Sequence, residues 1–399
     1  MQKYGLTVMA GVAALAIAST ASAQTNVILR ITGSTAYRSV IHQTILAMIT
    51  PGSLKYGYGG TSLNSASYAE FVGALVGNTS VTCDVKTVWS GSVDGIQRLT
   101  NQGNPAFENT TWLASGSLSS TGTPNLAAGT EMAYADAAMS DVFQDSTIFQ
   151  TPAIDNSEVI GVIPFEWCRN AGSPASLSNM TSMLAQELLS VGSVPLQLWS
   201  GNANDAGTLV YVTGRNFDSG TRVTGFAESG FGAGSPPNQV QVLANAANIA
   251  TNVSAYPAQT VLGVYFPLGE SGYSSGGLVS GALNVYGTDS STNTGDIGWI
   301  VGYLGVTDAN NVTNGAPMTW NGVAYSPTAV ENGQYTYWGY EHFNYNNNVS
   351  GNSLTVLTTL ENDLYNAVVD PTPYGGLPLA KMTVGRSVEG SPVGYGRAF

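Results

Sequence analysis

Three short turns carry the residues best suited to hold an anion: Gly33-Ser34-Thr35, Gly91-Ser92 and Ser219-Gly220-Thr221. Each follows a stretch that reads as a strand and opens one that reads as a helix. A helix start presents unpaired N–H groups and a partial positive charge, so it favours a negative ligand. The hydroxyls of Thr35, Ser92, Ser219 and Thr221 add donors, and Gly220 lets the backbone approach closely. Arg215 adds a planar guanidinium whose fork of donors suits an anion with several oxygens. One such turn alone is an ordinary helix cap. Three of them converging with an arginine would hold an oxyanion without any net positive charge.

The hydrophobic pattern places these turns between alternating strands and helices. Asn26 to Ile31 is an apolar strand, followed by a helical stripe of Tyr37, Val40, Ile41 and Met48 that ends before Pro51. Ser34 or Thr35 is its expected N-cap. Val81, Cys83 and Val85 alternate with polar residues as a strand does, and a short helical piece, Gly95 to Leu99, follows. Residues 103–130 are rich in Gly, Ser, Thr and Asn and read as a long exposed excursion. Val159 to Phe165 and Leu209 to Val212 read as buried strands, and Leu177, Met180, Leu184 and Leu188 as a helical stripe. Gly295 to Trp299 reads as a short bent strand. Leu357, Leu360, Leu364 and Val368 define a last amphipathic helix, closed by Asp370-Pro371. Strands alternating with helices make the fold class α/β, with Gly/Ser/Asn-rich loop insertions.

Composition narrows the function. Of 399 residues 43% are hydrophobic, enough for a core, but only 9% are charged, against a usual ~25%. Twelve Lys and Arg face 25 Asp and Glu, for a net charge of −13. Phosphate-backbone binding depends on clustered cations, so a nucleic-acid partner is excluded. The N-terminus reads as an export leader over residues 1–23. Lys3 supplies the charge, Leu6 to Ile17 the apolar run, and Ala21-Ser22-Ala23 the cleavage site before Gln24. The apolar run is shorter than the ~20 residues a membrane span requires, so the mature protein is expected to be periplasmic or secreted and not membrane-spanning. Cys83 and Cys168 either pair in that oxidising compartment or lie apart as buried thiols; the sequence leaves both open.

Competing chemistries are weaker. Gly272-Tyr273-Ser274-Ser275-Gly276 has the pattern of a nucleophile elbow, which needs a histidine base. The two histidines, His42 and His342, fall in a helix and in an aromatic run, Tyr337 to Phe343, where packing is the simpler role. The His, Cys, Asp and Glu residues lack metal-ligand spacing, and the Asp/Asn-rich stretches 289–296 and 308–314 lack an EF-hand pattern. No catalytic residue, metal or cofactor is therefore expected. The aromatic run reads as filler between strands.

In order along the chain stand Gly33-Ser34-Thr35, Gly91-Ser92-x-x-Gly95-Ile96, Asp136-x-x-x-Ser140-Asp141 and Arg215-x-x-x-Ser219-Gly220-Thr221. This series resembles the phosphate-binding proteins of bacterial phosphate ABC transporters, of the type II periplasmic-binding-protein superfamily. Gly295 to Tyr303 resembles their Gly-x-Ile-Gly-Tyr strand, and Asn321-Gly322-Val323 with Asn332-Gly333-Gln334-Tyr335 their return to the first lobe. The likeness spans Asn26 to Val369, and the Arg-x-x-x-Ser-Gly-Thr turn is its most specific part.

The resemblance implies a two-lobe fold closing on a dehydrated phosphate or similar tetrahedral oxyanion. Lobe one would span residues 24–163 and 328–399, and lobe two residues 164–327. Thr35, Ser92, Ser219, Gly220 and Thr221 would donate hydrogen bonds, Arg215 would bind two oxygens, and Asp141 would accept the ligand's proton. Hydrogen phosphate has an O–H to give, whereas sulfate has none and would face an unpaired buried charge. The membrane subunits of an ABC transporter would be the partner. The chain departs from the family pattern at Phe217, where the family has an acid that orients the arginine, with Asp218 one residue late. Val93 and Asp94 replace a small Ser-Gly pair, and the stretch between Ser92 and Asp141 is longer. The alternative is a cell-surface or extracellular structural or adhesion protein built on the same scaffold, since fold does not fix function.

Overall fold

The computed structural model describes residues 25–108, 112, 117–127, 129, 131–287 and 298–396. The leader, residues 1–23, the loop 289–296 and Gly295 to Ile297 of the expected bent strand lie outside the described residues. No helix among the described residues is long and apolar enough to cross a membrane.

Ten strands build the frame: β1 (Thr25–Gly33), β2 (Lys55–Tyr58), β3 (Tyr68–Leu75), β4 (Asn78–Trp89), β5 (Ala137–Ser140), β6 (Asn156–Arg169), β7 (Ser193–Pro195), β8 (Leu209–Thr213), β9 (Trp299–Gly305) and β10 (Trp338–Tyr345). They lie in the order β2-β3-β4-β1-β5-β10-β6-β9-β8-β7. The helices that matter below are α1 (Arg38–Met48), α2 (Ser92–Thr100), α3 (Ser182–Val191), α4 (Gly220–Glu228), α5 (Gly276–Leu283) and α6 (Gly351–Tyr365).

The longest strand divides the molecule. Residues Asn156–Pro164 of β6 pair with β10, whereas Phe165–Arg169 pair with β9. One strand thus belongs to two sheet halves, and β10 starts opposite Pro164 to re-enter the first. The result is a two-lobe α/β fold linked by these two strands. Ile160 to Cys168 are all buried, as expected where a strand is covered on both faces. In lobe one, Val27, Leu29 and Ile31 of β1 share a core with Val40, Ile41 and Ile45 of α1 and Val356, Leu357 and Leu360 of α6.

Strand direction sets up the site. β1 runs parallel to both its neighbours, β4 and β5, and β8 runs parallel to β9. Loops leaving the carboxyl ends of adjacent parallel strands emerge side by side, the usual place for a ligand in an α/β sheet.

Several elements differ from expectation. α1 is capped at Tyr37 without a side-chain bond, because the hydroxyls of Ser34 and Thr35 are turned to other partners. Leu177 and Met180 precede α3, which is capped by Thr181, and pack in the core from an extended segment. Val368 lies beyond α6 and is exposed. The excursion is not simply exposed: Ser119 and Thr123 bond to Tyr56 on β2, covering an edge strand, and Trp112 is fully buried. Cys83 and Cys168 are two free, buried thiols, one on β4 and one in the second-lobe half of β6, so no disulfide joins them. Tyr337, Trp338, Tyr340 and Phe343 of the aromatic run are core residues.

Candidate functional site

Three loops of lobe one meet at one place. Thr35 follows β1, Ser92 follows β4 and Asp141 follows β5, so the parallel order β4-β1-β5 sets the three side by side. Ser92 Oγ donates to Asp141 Oδ1 at 2.5 Å, and the Asp141 amide donates back to Ser92 Oγ at 3.3 Å. Asp141 is 2% exposed, and burial pushes its carboxyl up to about 6, against the Ser92 bond and the charge of Arg215.

Lobe two brings Arg215 and α4 against this group. Arg215, just past β8, is 2% exposed. It donates to the carbonyls of Tyr273 and Ser274 at 3.2 and 3.1 Å and to Thr35 Oγ1 across the cleft at 3.4 Å. Its own carbonyl accepts from Gln239 and Arg222, which fixes the turn. Gly220 opens α4 directly on Asp141: a methyl group there would lie 1.5 Å from Asp141 Oδ1 and 2.9 Å from Ser92 Oγ. This contact requires glycine. Ser219 holds the cap position of α4 with no side-chain cap bond, and Thr221 is buried in its first turn. The first bond inside α4 runs from Val223 N–H to Ser219 O, so the preceding amides are those of an open helix start.

Ser92, Asp141 and Gly220 are therefore in direct contact, Thr35 and Arg215 bond to each other, and the charge of Arg215 acts on Asp141. Ser219 and Thr221 share the turn but make no side-chain bond to the others among the described residues. The start of α2 is partly spent: Val93 N–H donates to Asp218 O at 3.0 Å, where Gly91, at φ +153°, lets the two turns touch.

The departures have physical explanations. The Asp218 carboxylate lies 3.6 Å from Arg215 Nη2, so the displaced acid still faces the arginine. Burial pushes Asp218 up to about 7, with Arg215 opposing. Asp94 turns aside to Arg98 at 2.8 Å and to Ser90. Phe217 stacks on Phe266, with ring centroids 4.7 Å apart. It joins Val93, Ile96, Val142 and Val223 in an apolar seam between α2 and α4. Gln97 adds a bond across the cleft to Leu262 O at 3.1 Å.

Two residues escaped the sequence reading. Glu341 of β10 is fully buried and accepts from Ser34 Oγ at 3.2 Å. Burial, then the nearby Asp141, push it well above the usual carboxylate range. Arg38, at the start of α1, also bears on the site, since Arg215 and Asp308 both act on its charge.

The elbow motif serves the arginine. Tyr273 and Ser274 give carbonyls to Arg215, and Ser275 caps α5 by accepting from Leu278 N–H. His42 bonds to Leu63 O, Thr87 and Trp89, and His342 packs on Phe143. Burial holds these imidazoles down to about 3 and about 4.

No family model matches the chain, and no curated protein matches it. Among solved structures the chain is similar to an ABC-type phosphate transport receptor from Vibrio cholerae, at 12% identity and a TM-score of 0.45, covering 88% of this chain and 99% of that one. It is also similar to a high affinity periplasmic phosphate-binding protein bound with phosphate, at 13% identity and a TM-score of 0.47, covering 89% and 92%. A third is a human phosphate binding apolipoprotein, at 12% identity and a TM-score of 0.44, covering 88% and 91%.

Proposed function

We propose that this chain is an exported solute-binding protein that captures phosphate, or a tetrahedral oxyanion like it, between its lobes for uptake by an ABC transporter. The observation that carries the reading is the contact set of the cleft. Hydroxyls from two lobe-one turns, a buried carboxylate and a buried arginine from lobe two share one place with an open helix start. Asp141, the carboxylate in contact with both Ser92 and Gly220, suits a ligand that brings one proton. In this reading Thr35, Ser92, Ser219, Gly220 and Thr221 donate, Arg215 binds two oxygens and Asp141 takes the ligand's O–H. The −13 charge affects encounter and solubility, while local dipoles and Arg215 set the potential at the site. Residues 24–163 and 328–399 would form one lobe and 164–327 the other, closing about the crossover strands.

Isothermal titration of the purified protein with phosphate, arsenate and sulfate tests this. Phosphate and arsenate should bind and raise Tm with concentration, and sulfate should bind far more weakly. Absence of any Tm shift with all three would leave the surface-protein alternative.

A further inference from the structure

Of the residues proposed to hold the anion, only Thr35 keeps part of its surface open. Ser92, Asp141, Arg215, Ser219, Gly220 and Thr221 are buried. On the side of α2 and α4 the lobes touch directly: Val93 N–H bonds to Asp218 O at 3.0 Å, and Phe217 fills the apolar seam. The Thr35 side differs. Thr35 lines a cavity of about 180 Å³ that both lobes wall, and part of its rim, Asn64, Ser65 and Asn311, is exposed. That is room for an ion of five non-hydrogen atoms at ~30 Å³ each. The cavity ends at the hydroxyl of Thr35, which accepts from Arg215. An anion approaching from solvent on this side therefore meets the cavity before the arginine.

One cation stands on that approach. Arg38, the first residue of α1, lines the same cavity and is part-exposed. Its guanidinium makes no hydrogen bond or ion pair among the described residues, and none of its nitrogens is both buried and unpartnered, so its donors reach water. The neighbouring arginines are committed elsewhere. Arg215 holds the carbonyls of Tyr273 and Ser274, Arg222 those of Arg215 and Glu270, and Arg98 pairs with Asp94. Arg38 lies within electrostatic reach of Arg215, and the acid within its reach, Asp308, is itself buried against Gly276. A chain of net charge −13 repels an anion overall, but salt screens that field beyond ~8 Å, so a local cation at the opening decides the encounter.

We infer that Arg38 is a capture residue, which draws the incoming oxyanion into the cavity at Thr35 and hands it to Arg215, adding to the rate of association and not to the hold on the bound ion. The inference rests on the oxyanion reading above. A guanidinium whose donors stay hydrated holds an anion weakly, which suits a group that must let it go. Arg215 is buried, where the same charge attracts more strongly, so transfer inward runs downhill.

The test is kinetic: stopped-flow mixing of the full protein with inorganic phosphate, with Kd taken by calorimetry, on wild type, Arg38→Gln, Arg38→Glu and Arg38→Lys. At low salt Arg38→Gln should lower kon about threefold or more and leave koff unchanged, so that Kd rises by the same factor. Arg38→Glu should lower kon further, and an acid in the first turn of a helix suits folding, so it reads the same field should Arg38→Gln not fold. Arg38→Lys should keep most of the rate, because attraction at a distance needs the charge and not the fork of donors. At about 1 M salt, where the screening length is ~3 Å, the four rates should converge. A kon that neither Arg38→Gln nor Arg38→Glu lowers, or a loss that high salt leaves in place, overturns the capture role and leaves the oxyanion site standing. A raised koff with kon unchanged makes Arg38 part of the bound site and overturns the capture role as well. Wild type that binds neither phosphate, arsenate nor sulfate overturns the oxyanion reading and the capture role with it.

Discussion

Asp141→Asn should erase much of the discrimination between phosphate and sulfate, and it should do so by admitting sulfate. Asp141 is 2% exposed, with Ser92 on one oxygen and Gly220 against it, so water cannot screen it from a bound anion. A buried acceptor facing another acceptor forfeits about 1–3 kcal/mol, which is about 5- to 150-fold in affinity. An asparagine amide donates to a sulfate oxygen and removes that penalty. The wild type should show the same effect through pH, because burial holds Asp141 at about 6. At pH 8 about 1% of such sites carry the proton and at pH 5 about nine in ten, so sulfate affinity should climb up to ~100-fold between them. Titrating wild type and variant with both anions at pH 8, 6.5 and 5 measures this directly. Sulfate binding should be steep with pH in the wild type and flat in Asp141→Asn. A phosphate-to-sulfate ratio that survives the substitution at pH 8 would refute the proton-acceptor role.

Arg215→Ala should lower phosphate affinity about tenfold or more, since charge-assisted bonds contribute ~1.5–3 kcal/mol each; an unchanged Kd by titration removes the arginine from the site. Gly220→Ala places a methyl group 1.5 Å from Asp141 Oδ1 while suiting a helix start, so each lobe should stay folded as phosphate binding falls. Small-angle scattering should report a more open particle, and wild-type binding and dimensions would contradict the close approach. The protein without ligand should melt higher at pH 5 than at pH 7.5. Burial raises Asp141 to about 6 and Glu166, Asp218 and Glu389 to about 7. A raised carboxyl favours the folded state while protonated, and that stability is lost as pH climbs from about 4 to about 7. His42 and His342, held down, act in the opposite sense below about 6.5, but they are outnumbered. A Tm that rises from pH 5 to pH 7.5 would contradict this balance.

What the sequence made legible follows from locality. β1, β4 and β8 read as strands because their apolar residues alternate or run together, and each ends in a small-residue turn that opens a helix. Asp141 has no such local mark, and only its place in a family-like order brought it forward. Glu341 was invisible because its neighbours on β10 are buried on both faces, which hides the alternation that would show a carboxyl pointing at the site. The start of α1 was misplaced for an instructive reason. Ser34 and Thr35 look like caps, but Ser34 bonds to Glu341 and Thr35 accepts from Arg215, so the site takes hydroxyls that local rules assign to the helix. The docking of the excursion on β2 depends on distant pairing, which composition does not encode.

The residues that depart from the family pattern are best understood as one coordinated change. Phe217 stands where an acid would orient the arginine, and it packs with Val93, itself a replacement, in the seam between α2 and α4. The acid moves one residue along, to Asp218, and still lies within 3.6 Å of Arg215, while two carbonyls complete the guanidinium's orientation. Asp94, a further departure, is paired with Arg98 on its own helix. The exchange puts apolar surface beside the proposed anion site, and full burial of a side chain such as Val93 there contributes about 1.5–3 kcal/mol. The Asp141–Ser92 pair is itself buried, where a low dielectric makes each donor and acceptor count for most. On the proposed reading, the residues that look like decay of an anion site in the linear sequence keep an acid beside Arg215 and add an apolar seam between α2 and α4.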